Sequence, residues 1–144
     1  MNIWLVVANP YAYDKAMWKG ISEAQQNQVK LMVVFFINNN SINDVIGELG
    51  QTGWLGSNPL HKLQNSMLDG YRALANDVLK RVKRKAKEKE VELDIQEVIE
   101  RPSLEEYLFE LVEEDAIKII VAGPQLLTAK IGKLPSIAEY IEED

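Results

Sequence analysis

The residues best placed to do chemistry lie near the end of the chain, in IIVAGPQLLTAKIGKLPSIAEYIEED, residues 119–144. An apolar run there meets Ala122-Gly123-Pro124, and a loop with one further glycine leads to Ser136 before an acidic stretch. Glycine lets backbone N–H groups approach a phosphate, and a serine hydroxyl at a helix start adds a donor where the helix dipole is positive. The chemistry on offer is anion binding, with Gly123 and Ser136 as its parts. Catalysis is harder to build. His61 is the only histidine and cysteine is absent, so a serine nucleophile lacks a base and no thiolate exists. A metal site would have to be all carboxylate. The Walker-type lysine loop and the dinucleotide glycine fingerprint are missing as well. No enzyme and no metal are expected.

The elements that must position this loop alternate in period. Ile3 to Val7 is a continuous apolar run, as a strand covered on both faces would be, and Asn9-Pro10 breaks it. Asp14 to Gln28 places Ala16, Met17, Ile21 and Ala24 on one helical face, which Gly20 weakens. Leu31 to Ile37 is a second buried strand. The segment 38–58 is polar and glycine-punctuated, with a short helix expected over Asn43 to Leu49 and Trp54-Leu55 acting as a lid, an interface contact or a loop anchor on its own domain. Asn58-Pro59 starts a long helix whose stripe is Leu60, Leu63, Met67, Tyr71, Leu74, Val78 and Val82, with an irregularity at Gly70. Val91, Leu93 and Ile95 alternate with polar residues, the mark of an edge strand. Ser103-Leu-Glu-Glu106 is a capping box before the stripe Leu104, Tyr107, Leu108, Leu111, Val112. Ile117 to Ala122 is a fourth strand.

Strand and helix in strict alternation imply a parallel sheet with right-handed crossovers and helices on both faces. A chain that winds one way and then reverses gives the order 3-2-1-4, and the alternating third strand belongs at the edge. Ligands in such sheets bind where the order reverses, beyond the carboxyl ends of strands 1 and 4. Those ends are Ala8-Asn9-Pro10 and Gly123-Pro124.

Across nearly its whole length the chain resembles a universal stress protein. IWLVVANPYAYDKAMWKG is similar to that family's first strand and helix, and VKLMVVFFI to its second strand. YRALANDVLKRVKRKAKEKEVELDIQEV is similar to its long helix and third strand, and LVEEDAIKIIVAG to the approach to its loop. The resemblance implies an adenine nucleotide alpha hydrolase-like fold and a role in stress adaptation. Nucleotide-binding members carry Gly, two residues, Gly, nine residues, Gly, then Ser or Thr. Gly123 fits the first position, Leu126 falls on the second, and Pro135 or Ser136 on the third. Pro135-Ser136-Ile137-Ala138-Glu139 resembles the family's Gly-Ser-Val-Ser-Glu, so Ser136 keeps its match. The family's first strand ends in an Asp that contacts adenosine; that position is Ala8 here, beside Asn9.

Ala8, Asn9, Gly123, Leu126 and Ser136 therefore outline a nucleotide crevice with altered parts. Leu126 and Pro135 put bulk where a triphosphate needs bare backbone, and Pro135 has no N–H. Ser136 to Glu139 is itself a capping box, which gives the hydroxyl a structural task. Glu139, Glu142, Glu143 and Asp144 repel phosphate, and Lys130 and Lys133 offset this in part. The expected protein holds no cofactor and acts through protein contacts. The alternative is an ATP or AMP sensor using Asn9, Gly123 and Ser136, with Trp54 near the mouth. A third reading places a flavin or other small molecule there, sealed by 47–56. A helix is expected after Ser136 and no fifth strand. The apolar fourth strand is then an edge needing cover from the Gln125–Leu134 loop or a second subunit, and a homodimer is expected.

Composition limits the remaining choices. At 144 residues and 47% apolar, the sequence fits one domain, 1–144, with a real core. Its apolar runs are far short of the ~20 residues of a membrane span, and no secretory signal is visible, so a cytoplasmic protein without membrane contact is expected. A net charge of −6 argues against nucleic acid. One exception is local: Lys80, Arg81, Lys83, Arg84, Lys85, Lys87 and Lys89 fall within ten positions. They read either as an anion-binding patch or as a solvated helix end that complements the dipole.

Overall fold

The computed structural model describes residues 2–39, 57–114, 116–123 and 134–142. Strand β1 spans Asn2–Val7, helix α1 Asp14–Asn27, β2 Lys30–Asn38 and helix α2 Ser57–Glu88. Strand β3 spans Leu93–Arg101, helix α3 Leu104–Val112, β4 Ala116–Ala122 and β5 Ala138–Ile141. The expected helix over Asn43 to Leu49, together with Trp54 and Leu126, lies outside the described residues.

The five strands are parallel in the order β3-β2-β1-β4-β5. The order 3-2-1-4 read from the alternation of elements holds, with β3 at an edge. Leu5 stands between Val33 and Ile120, so the central strand is paired on both sides through its length. Burial on both faces explains why β1 and β2 read as unbroken apolar runs.

Side chains divide by parity. Ile3, Leu5 and Val7 join Leu31, Val33 and Phe35 in a core closed by Met17 and Ile21 of α1 and Val78 and Val82 of α2. Trp4 and Val6 join Val34 and Phe36 on the other face, under Leu104, Tyr107, Leu108 and Leu111 of α3. There the Phe36 and Tyr107 rings lie 5.6 Å apart. Val112, expected in the buried stripe of α3, is exposed, while Leu104 is buried. Helix α2 starts at Ser57, one residue before the expected cap, and runs through Gly70 without a break. From His61 onward its first buried position is Ala75. Gln28, the residue after α1, and Glu90, two residues after α2, are both in left-handed backbone. The following amides close the helices, Val29 on Ala24 O at 3.1 Å and Val91 on Ala86 O at 2.9 Å.

One expectation is overturned. Residues 137–142 form no helix; Ala138–Ile141 is a fifth strand, in register Ile119↔Ala138 to Ala122↔Ile141. The outer edge of β4 is covered, as expected, but by the chain's own 137–141 segment. The physical reason lies in that edge. Its backbone groups need partners: Ile119 N donates to Ile137 O at 3.0 Å and Gly123 N to Ile141 O at 3.1 Å. Ile137, Tyr140 and Ile141 suit a pleated, half-buried surface.

Candidate functional site

The carboxyl ends of β1 and β4 lie side by side. Ala8 N donates to Ala122 O at 3.0 Å, so the ladder runs one residue past β1, and the chain then turns away. Asn9 makes that turn. It is the buried polar residue among the described ones, 4% exposed, and its Oδ1 accepts from Tyr11 N at 2.9 Å. An Asn here fixes the exit from the strand without any ligand.

Tyr11 is held out at the mouth, 66% exposed. Helix α2 returns against the strands, so its first half lies at this same end, and Tyr71 of that half comes near Tyr11. Burial first, and then the neighbouring Tyr11 phenol, push the Tyr71 phenol above its ordinary value. Below them Arg81 lies over the Tyr13 ring, 5.2 Å from its centre, and pairs with Asp14 at the start of α1. The Tyr13 and Asp14 bonds hold the Arg81 guanidinium above its ordinary value. That start of α1 therefore presents a carboxylate, which disfavours a second anion there.

Gly123 is buried at the end of β4, and its surroundings account for the glycine. Its backbone is not left-handed, so conformation does not demand it. Space does. A Cβ at Gly123 would fall 2.0 Å from Cζ and from Oη of Tyr140. Tyr140 faces the same side of the sheet as Val121, its partner in register, and its ring reaches forward over the Gly123 Cα. Burial, followed by Glu142, raises the Tyr140 phenol above its ordinary value.

Ser136 is elsewhere. It is exposed in a turn closed by Ala138 N donating to Pro135 O at 3.0 Å. Two residues later Ala138 pairs with Ile119, so Ser136 lies at the amino end of the sheet. At ~3.3 Å per residue it is on the order of 15 Å from Gly123. The structure thus brings Ala8, Asn9 and Gly123 together and separates Ser136 from them. Glu139, expected to reciprocate a cap on Ser136, pairs with Lys19 of α1 and, at 3.2 Å, with Lys118 of β4. Lys118 also pairs with Glu23 at 3.2 Å. The Lys19 bond holds the Glu139 carboxyl below its ordinary value against the desolvation that opposes it, and Lys118 adds to this.

His61 is exposed in the first turns of α2. Among the described residues no His, Asp and Glu cluster could hold a metal ion. No described helix is long and apolar enough to cross a membrane. The sequence reading missed Tyr140, Tyr11 and Tyr71. Tyr11 carried a signal, as an aromatic just beyond a strand end at the switch point. Tyr140 carried none while its segment read as a helix.

The architecture has close counterparts among solved structures. A protein of the universal stress protein family from Burkholderia pseudomallei superposes with a TM-score of 0.64 at 15% identity, over 96% of this chain and 94% of its own. Universal stress protein UspA from Lactobacillus plantarum gives 0.63 at 15% identity, over 100% and 97%. A universal stress protein from Archaeoglobus fulgidus gives 0.56 at 14%, over 100% and 93%. No family model and no curated protein sequence matches the chain. These likenesses define the fold: a parallel α/β sheet of the universal stress protein type, matched end to end.

Proposed function

We propose that the chain is a divergent universal stress protein, one cytoplasmic domain over residues 1–144, that acts in stress adaptation through contacts with other proteins and does not use ATP. The observation that carries this reading is the state of Gly123. Its N–H is engaged by Ile141 O and its open face is covered by the Tyr140 ring. A phosphate cradle needs both free. The distance of Ser136 from this end supports the same reading, since the one hydroxyl matched to the family's loop is out of reach.

Thermal melting with and without millimolar Mg-ATP, ADP or AMP tests it. A ligand at 100 times its dissociation constant adds about 2.7 kcal/mol, a shift of roughly 5–11 °C at this size. No shift is expected. A shift with any of the three overturns the proposal in favour of a second reading, a nucleotide sensor at the same crevice. That reading is favoured by the buried Asn9 below an exposed Tyr11 with Tyr71 beside it, polar and aromatic groups of the kind that hold a purine.

The same proposal includes a homodimer. Among the described residues β5 has no neighbour on its outer side, and an open strand edge is a template for a second chain. Light scattering after size exclusion is expected to give twice the 16.4 kDa of one chain. A monomer at high concentration removes this part.

A further inference from the structure

The last turns of α2 carry a surface that neither the fold nor the crevice uses. Of the seven bases in residues 80–89, Arg81 is engaged with Tyr13 and Asp14, and Lys85 pairs with Glu88 at 3.8 Å. Five remain: Lys89, just past the end of the helix, and Lys80, Lys83, Arg84 and Lys87 on it. The four on the helix are exposed, and none of their side chains has an ion-pair or hydrogen-bond partner among the described residues. Their spacing is i, i+3, i+4, i+7, which puts them on one side of the helix in a row about 10 Å long. Seven bases against the single acid Glu88 leave this stretch at +6, so the rest of a chain of net charge −6 carries −12.

Unpaired like charges in a row repel one another and destabilise a helix slightly. A solvated helix end needs only one or two cations to complement its dipole. The row is longer than that purpose requires, and it lies on a helix whose opposite side, Val78, Val82 and Ala86, is fixed in the core. It is therefore a rigid, preformed array.

We infer that this row is the docking site for an acidic segment of another protein. Three features select that partner over other anions. The exposed positions of the row carry no aromatic ring on which a base could stack, as single-strand readers use. They carry no exposed apolar side chain that could enter a lipid surface. The −12 borne by the rest of the chain repels any extended polyanion, whereas a short run of Asp and Glu matches the row in length and stays within it. The inference gives a partner class to the protein contacts proposed above, but rests on a separate surface. Its failure leaves the nucleotide result untouched.

The test is fluorescence anisotropy of labelled decaglutamate with the full chain at about 0.15 M salt, where exposed charges are screened beyond ~8 Å. Saturable binding is expected, weakening as salt rises. The K83E/R84E variant reverses two exposed charges, so its circular dichroism and melting should match the parent while its affinity for the peptide falls about tenfold or more. Parallel arms use poly(U), phosphatidylserine vesicles and the protein alone. The inference is overturned by poly(U) or vesicles binding more tightly than the peptide. It is equally overturned by self-association that the variant abolishes, by undiminished peptide binding in the variant, or by no peptide binding at all. That last outcome returns the row to a solvated helix end.

Discussion

Two Ser-x-x-Glu tetrads stand in this chain, Ser103 to Glu106 and Ser136 to Glu139, and they fold in opposite ways. In the first, Ser103 Oγ accepts from Glu106 N at 3.2 Å and α3 follows for nine residues. In the second, Ser136 sits in an exposed turn and β5 follows. The local sequence is the same signal in both. What differs is what comes next and what lies alongside. After Ser103 the apolar residues Leu104, Tyr107, Leu108 and Leu111 keep a helical period and bury one face. After Ser136 the run Ile137, Ala138, Tyr140, Ile141 is too short for such a face, while the open edge of β4 offers a full set of backbone partners. A capping box proposes a helix, and tertiary partners decide.

The two edges of the sheet repeat the contrast. Strand β3 is nine residues long, begins with alternating polarity over Leu93 to Gln96 and is tied at its carboxyl end by Arg72 to Glu100, 2.8 Å, and Arg101 to Glu110, 2.7 Å. Strand β5 is four residues long, half-buried throughout, and tied by Glu139 to two lysines. The long edge announces itself by period. The short one is defined by its neighbours.

The largest expected effect lies where β5 meets β4. Gly123→Ala forces a Cβ into the Tyr140 ring and should cost about 1–3 kcal/mol in urea unfolding. In a Tyr140→Ala background the same change should be close to neutral, so the double-mutant cycle should show a coupling of about 1 kcal/mol or more. Additive costs would mean that the ring does not lie over Gly123.

Next come the two serines. Ser103→Ala removes a working cap and should cost about 1 kcal/mol. Ser136→Ala should stay within about 0.5 kcal/mol, as for other exposed changes away from special features. Equal losses at the two sites would restore the helix after Ser136 and remove β5.

The smallest effect is the pH dependence of the β5 clasp. Glu139 is held below the ordinary 4.5 in the folded chain by Lys19 and Lys118. Its contribution is therefore full above that value and fades as pH falls through the lower, folded one. Melting curves of the parent and Glu139→Gln should differ by at most a few degrees at neutral pH, the small contribution usual for exposed pairs. They should converge as pH falls below the folded value. A gap that widened on acidification would contradict the assignment of Glu139 to this clasp.

Much of this was legible in the sequence. The apolar runs of β1 and β2 could only be strands covered on both faces, and their alternation with helices allowed few arrangements other than 3-2-1-4. The meeting of Ala8, Asn9 and Gly123 followed from that order, because strand direction alone brings those ends together. The place of Ser136 did not follow. It depended on whether the segment after it was a helix or a strand, and five residues carry too little period to say.

The sequence by itself determined the alternation of elements, the helices on both faces and the sheet order, since burial over long periodic segments outweighs local preference. Only the tertiary structure decided the fate of the final segment and the meaning of Gly123. Both turn on partners distant along the chain: an unpaired strand edge that recruits Ile137 to Ile141, and a tyrosine ring that leaves no room for a Cβ.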